Sequence, residues 1–295
     1  MIGVLAHGGH DPDVALVGWL PGLLLACVLV MSYLVAVGRF TRRTLRAWPA
    51  ARTAAFASGS ALIALGIAPP VHALAAADPR GHVLQHLLLG MYAPVALVLA
   101  APMTPLLAAL PARAARGVTS VLRSRPARVL THPVTAGLVT VAGMYALYFT
   151  PLYAASVHDP VVGSALHLHV LMTGCVLAWS VAGPDPAPAR PGLRLRIGVL
   201  VGVAGAHAYL AKTLYARAAT WPTVAGHDRE EIRQAAQLMY YGGDGAELLL
   251  AIALFTVRRA RRGGHSSQPK SLESRSMTKP SRPVRMPTGR KPTAA

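Results

Sequence analysis

The chain reads as an all-α protein, a bundle of seven transmembrane helices, and three observations lead there. Hydrophobic residues make up 53% of the 295 positions and charged residues only 14%. Mean hydropathy is positive, outside the range of ordinary soluble domains. Apolar runs also recur at lengths that match a bilayer. A span needs about 20 apolar residues, because without water every backbone amide must find its partner within the segment.

The predicted spans are 14–37, 53–75, 82–110, 133–153, 161–183, 195–216 and 235–257. The first is long enough to cross and lacks the basic flank of a cleavable signal, so it is expected to direct its own insertion. The second meets Pro69–Pro70 near its far end. The third carries Pro94, Pro102 and Pro105, which predict a kink, or a stop near Ala101 followed by a short interfacial piece. Three domains follow: an N-terminal segment 1–13, a membrane domain 14–257, and a tail 258–295 rich in Ser, Pro, Arg and Lys that has too little apolar surface to fold.

Arginines orient the bundle. Arg39, Arg42, Arg43, Arg46 and Arg52 follow span 1, Arg113, Arg116, Arg123, Arg125 and Arg128 follow span 3, and Arg190, Arg194 and Arg196 follow span 5. The alternate connections hold almost no Lys or Arg. Those three loops and the C-terminus are therefore expected in the cytoplasm and the N-terminus outside. The net charge of +18 reflects this topology and contact with anionic lipid, above all by the tail, rather than a nucleic-acid partner. Cys27 and Cys175 form no CxxC pair and read as small buried residues. No phosphate loop, serine elbow or HExxH sequence suggests catalysis.

The histidines carry the chemistry. His82 and His86, four apart, share one face at the start of span 3, a geometry that can place two imidazoles on one ion. His72, across a short turn, can join them. The bland alternative is a set of interfacial histidines bonded to water and carbonyls. His167 and His169 lie about 10–13 Å into span 5 at 1.5 Å per residue and point to nearly opposite sides, so only one of them is expected to serve that site. His169 shares a face with Met172, and a thioether beside an imidazole suits monovalent copper. His207 on span 6, with Asp244 and Glu247 inside span 7, forms a candidate cation layer, since a carboxylate there needs a proton, a partner such as His207 or Lys212, or an ion. His7, His10, Asp11 and Asp13 form a polar stretch ahead of span 1 that can capture a cation only weakly.

The stretch His82-Val-Leu-Gln-His86-Leu-Leu-Leu-Gly-Met91-Tyr-Ala-Pro94 and the following Ala101-Pro102-Met103 resemble the central helix of the CtaG-type cytochrome c oxidase assembly factors, bacterial polytopic membrane proteins. The likeness continues at Thr131-His132-Pro133, at the His167/His169 helix, and from Ala236-Gln237-Leu238-Met239 through Asp244 to Glu247. The approach to span 7, 227–234, departs from the Asp-Gln pair common in that family. The resemblance implies a cell-membrane protein that helps to mature a haem–copper oxidase, on its copper side and without turnover of its own. The expected copper ligands are His72, His82, His86 and His169, with His167, His207, Asp244 and Glu247 nearby, and the expected partner is an oxidase subunit. Two other readings stay open: a haem-binding electron carrier with paired axial histidines, and a transporter moving metal or protons through the Asp244–Glu247 layer.

Overall fold

The computed structural model describes residues 12–187, 190–220 and 227–266. Among these residues every regular element is helical. Five helices are each long and apolar enough to cross a membrane, and two bent pairs raise the number to as many as seven.

Helix α1, Pro12–Thr44, ends on Arg42 and Arg43, whose charge favours the negative end of the helix dipole. Leu23, Leu24, Val28 and Met31 are exposed along it, as lipid-facing residues are. Tyr33 is buried instead. Its hydroxyl donates to the Ala100 carbonyl at 2.9 Å and accepts the Trp48 indole N–H at 2.9 Å, tying α1 to the end of the central helix.

The second predicted span is two helices, α2, Ala50–Gly66, and α3, Pro69–Ala77, bent by 50°. The cause is local. Pro69 and Pro70 have no N–H to continue the ladder, and a proline disfavours helical geometry in the residue before it. Asp78 then caps α4, Pro79–Leu87, accepting the Arg80 N–H at 2.8 Å with Pro79 at the first helical position.

The central span continues from α4 through a π-helical turn, Leu88–Tyr92, into α5, Ala93–Leu99. It stops at Ala101, buried with a left-handed φ of 53°. A short helix follows, α6, Met103–Ala109, as the prolines predicted. Asp185, buried in the connection after span 5, accepts the Met103 and Thr104 N–H groups at 2.9 and 3.0 Å and so caps α6 from a distance. Helices α7, Ala112–Arg123, and α8, Arg125–Leu130, occupy what the sequence suggested was only a basic loop.

The fourth predicted span is also bent. Helix α9, Pro133–Phe149, turns by 78° at Thr150–Pro151 into α10, Leu152–His158. Asp159 accepts the Val161 N–H at 2.8 Å and starts α11, Pro160–Ala182. Helix α12 covers Leu193–Ala216 and α13 covers Arg229–Ser266. The expected tail from Arg258 is thus helical as far as Ser266, and its remainder lies outside the described residues. His7, His10 and Asp11 lie outside them as well.

Three apolar clusters fill the interior. One joins Val83 and Leu87 to Met144, Leu147, Leu210 and Met239; a second joins Val95 and Val98 to Leu177, Val181, Leu200 and Leu254; a smaller third joins Ile63 to Leu89 and Ala93. Span 5 approaches the π turn closely at Gly174. A Cβ there would run into the Gly90 carbonyl oxygen, so only hydrogen lets the two backbones meet.

Candidate functional site

The histidines expected to form one site divide between two cavities. The reason lies in α4. His82 and Gln85, three apart, face one way and His86 another, so the helix stands between the cavities.

The first cavity, of about 200 Å³, is at the end of the bundle marked by the 78–80 and 158–160 turns. His72, His82, Gln85, His167, Ser156 and Ser164 line it. The bends position these groups: α3 leans His72 over the cavity, and α10 brings Tyr153 against His82, edge-on with ring centroids 4.7 Å apart. His82 is buried, and its Nε2 has no hydrogen-bond partner. His167 is held firmly, its Nε2 lying 3.0 Å from Gln85 Oε1. Gln85 in turn donates through Nε2 to the Gly66 carbonyl at 2.7 Å. That carbonyl is an orphan of the α2–α3 break, since the residue four positions on is Pro70.

The second cavity, of about 70 Å³, lies in the middle of the bundle. Its polar and sulfur-bearing lining comes from His86, His169, His207, Glu247, Thr140, Thr173, Met91 and Met144, set in a largely aliphatic wall. The His86 and His207 rings are 6.3 Å apart at 28°. His207 Nδ1 is 3.7 Å from Glu247 Oε1, a pairing only in the charged form of the ring. His207 Nε2 is buried without a partner. Gly243 lets this ring pack on the α13 backbone, because a Cβ at that position would overlap it.

Several expectations change. His86 joins His207 and Glu247 rather than His72 and His82. His167 and His169 do point apart, yet each lines a cavity of its own. Met172 is exposed, 53% accessible, and lines neither. Asp244 is exposed too, whereas Glu247 is largely covered. The buried stripe of α13 runs through Met239, Gly243, Ala246 and Leu250. At about 100° per residue Glu247 sits roughly 70° from its centre and Asp244 roughly 130°. Lys212 pairs with neither carboxylate; its Nζ stands 5.3 Å over the Tyr240 ring. Cys27 is exposed and Cys175 half-buried, and both are free thiols. Among the described residues no three His, Cys, Asp or Glu side chains lie close enough together to hold a metal ion.

Three contributors escaped the sequence reading. Gln85 was open to discovery, being three residues from His82 and on its face. Met91 was not, because the π turn absorbs one extra residue and so rotates Met91 back toward His86. Met144 comes from another helix, in a run with no periodic mark.

The turn between α3 and α4 is pinned by charge. Arg80 Nε donates to both Asp78 oxygens at 3.0 and 2.8 Å, and its Nη1 reaches Gln234 Oε1 on α13 at 2.7 Å. The Arg80 guanidinium hydrogen-bonded to it holds the Asp78 carboxyl below its usual range. A carboxyl whose pKa is depressed by folding stabilises the fold above its unfolded pKa, about 3.9, and that contribution is lost as pH falls toward the folded value. Thermal unfolding in detergent between pH 3 and 7 should therefore show wild type losing stability below about pH 4, with a shallower loss in Asp78→Asn. Equal slopes would show that the pair contributes nothing.

The bent helices and the two cavities define a class: a helical membrane protein with a histidine-lined interior. The chain belongs to the Caa3_CtaG family, cytochrome c oxidase caa3 assembly factor, whose profile matches residues 31–260. It is 32% identical over 200 residues to Uncharacterized protein Mb0105 of Mycobacterium bovis and to Uncharacterized protein MT0111 of Mycobacterium tuberculosis. It is 31% identical over 191 residues to Uncharacterized protein ML1998 of Mycobacterium leprae. The first two alignments cover 65% of this chain and 30% of each relative, the third 62% and 29%. The chain thus spans less than a third of the length of these relatives. No solved structure matches it.

Proposed function

We propose that this protein is a non-catalytic assembly factor that takes up copper at the outer cavity and passes it to a cytochrome c oxidase subunit. It does so as a seven-span protein of the cell membrane, with its N-terminus outside and its C-terminus in the cytoplasm. The bent pairs α2–α3 and α9–α10 each count as one span in this topology, and the basic inner segments rest on anionic lipid.

One observation carries the reading: His72, His82 and His167, from three helices, meet around a single cavity at the end that the arginine pattern places outside. His82 offers a buried nitrogen with no other partner. The imidazoles are not drawn tightly together, which suits a carrier that must release its cargo. Imidazole is a good ligand for copper, and it ligates through its neutral ring.

Removing one donor from such a small set leaves the ion under-coordinated. His82→Ala and His167→Ala should each lose most of the copper retained at this cavity while inserting normally. Their cells should show lower oxidase activity per amount of variant protein. Metal content of purified wild type and variants decides the matter: copper at the wild-type level in both variants would refute the outer site.

A further inference from the structure

We propose that the middle of the bundle holds a second ion seat, formed by His86, His207 and the thioethers of Met91 and Met144, that takes copper in its monovalent state. It shares its cargo with the outer site but none of its residues.

Four observations lead there. His207 is buried to 3% exposure, and its Nε2 has no hydrogen-bond partner beside a cavity whose wall is mostly apolar, with His86, His169, Thr140, Thr173 and Glu247 as its other polar residues. An orphaned ring nitrogen in such surroundings costs free energy unless something binds it. The His86 and His207 ring centroids lie 6.3 Å apart with their planes inclined by 28°. With metal–nitrogen bonds of about 2 Å, a near-linear pair of imidazoles spans about that distance with an ion between them. Met91 and Met144 reach the same space from the π turn and from α9. Glu247 is the carboxylate of this lining, and its Oε1 also lacks a hydrogen-bond partner.

The chemistry selects the ion. Soft thioethers with imidazoles favour monovalent copper over zinc, and monovalent copper accepts two or three ligands where harder ions demand more oxygen donors. That no trio of His, Cys, Asp and Glu gathers among the described residues is no obstacle to such an ion. Charge agrees: one buried carboxylate balances one positive charge, whereas a divalent ion would leave an uncompensated charge among aliphatic side chains. Placement agrees as well. His82 borders the outer cavity and His86, one helical turn further along α4, borders the inner one.

The test is anaerobic titration of the full-length protein in detergent with monovalent copper against a chromophoric chelator. Wild type should bind two ions, and His207→Ala, His207→Gln and His86→Leu should each bind one. The one that remains should be lost in the double variant with His82→Ala. Copper K-edge spectra of His82→Ala, loaded only at the inner seat, should show sulfur neighbours that disappear in its Met91→Leu/Met144→Leu derivative. Circular dichroism and gel filtration confirm that each variant is folded, and His207→Gln keeps the test valid if the alanine fails to fold. The proposal is overturned if the His207 variants bind as many ions as wild type, if no sulfur neighbour is seen, or if added haem gives a Soret band that depends on His86 and His207. One ion lost with His82 but not with His207 removes the inner seat alone. One ion lost with His207 but not with His82 supports the inner seat and removes the outer site.

Discussion

Gln85→Leu is expected to destabilise the protein by about 2–3 kcal/mol and to weaken copper binding at the outer cavity about tenfold. The side chain is buried and uses both ends, giving a hydrogen bond to Gly66 and meeting His167. Leucine removes both partners at once. The Gly66 carbonyl then has no donor, because Pro70 cannot supply the N–H that would ordinarily reach it, and an unsatisfied buried carbonyl costs about 1–3 kcal/mol. His167, half-buried at the cavity, can recruit water and loses less. The comparison variant is His167→Ala, which keeps the Gly66 bond and should cost about 1 kcal/mol or less. Thermal unfolding of the two in the same detergent separates the contributions. If they melt together, the Gln85–Gly66 bond is not what closes the break between α2 and α3.

Gly174→Ala is expected to be a strongly damaging single-carbon change, lowering stability by roughly 2–3 kcal/mol. The added methyl would meet the Gly90 carbonyl oxygen and the Pro94 ring, neither of which is the movable end of a side chain. Helix α11 has to move away from the central helix, and overpacking of this kind costs about 1–3 kcal/mol. Because α11 also carries His167 and His169, the same movement should disturb both cavities. Gly205→Ala is the control: nothing lies within 4 Å of its added Cβ, and alanine is the better helix former by about 1 kcal/mol. It should melt at or slightly above wild type. Equal melting of the two variants would show that the Gly90–Gly174 contact is looser than described.

The sequence by itself determined the class of fold, for a physical reason. Apolar segments of bilayer length must be helical, since nothing else satisfies their backbone, and arginine placement reads out the expected orientation. The stop near Ala101 was also legible, because proline acts on its immediate neighbours. Of the residues the sequence singles out, His72, His82, His86, His167, His169, His207 and Glu247 each line one of the two cavities, and Asp244 lines neither.

Only the tertiary structure decided how those residues are shared out. A spacing of four puts His82 and His86 on one face of an isolated helix, but a face is broad. Neighbouring helices can divide it, and α4 stands between two cavities with one imidazole in each. Met91 depended on a π turn that no local signal marks. Asp244 and Glu247 look alike in sequence, and a rotation of about 60° along α13 exposes one and covers the other. The bend at Ile67–Ala68 was half legible, since Pro69–Pro70 marks a break, whereas the bend at Thr150–Pro151 lies inside what reads as one unbroken span; the angles of 50° and 78° that carry His72 and Tyr153 toward His82 come from packing. Local sequence sets what a residue can do, and long-range packing sets what it meets.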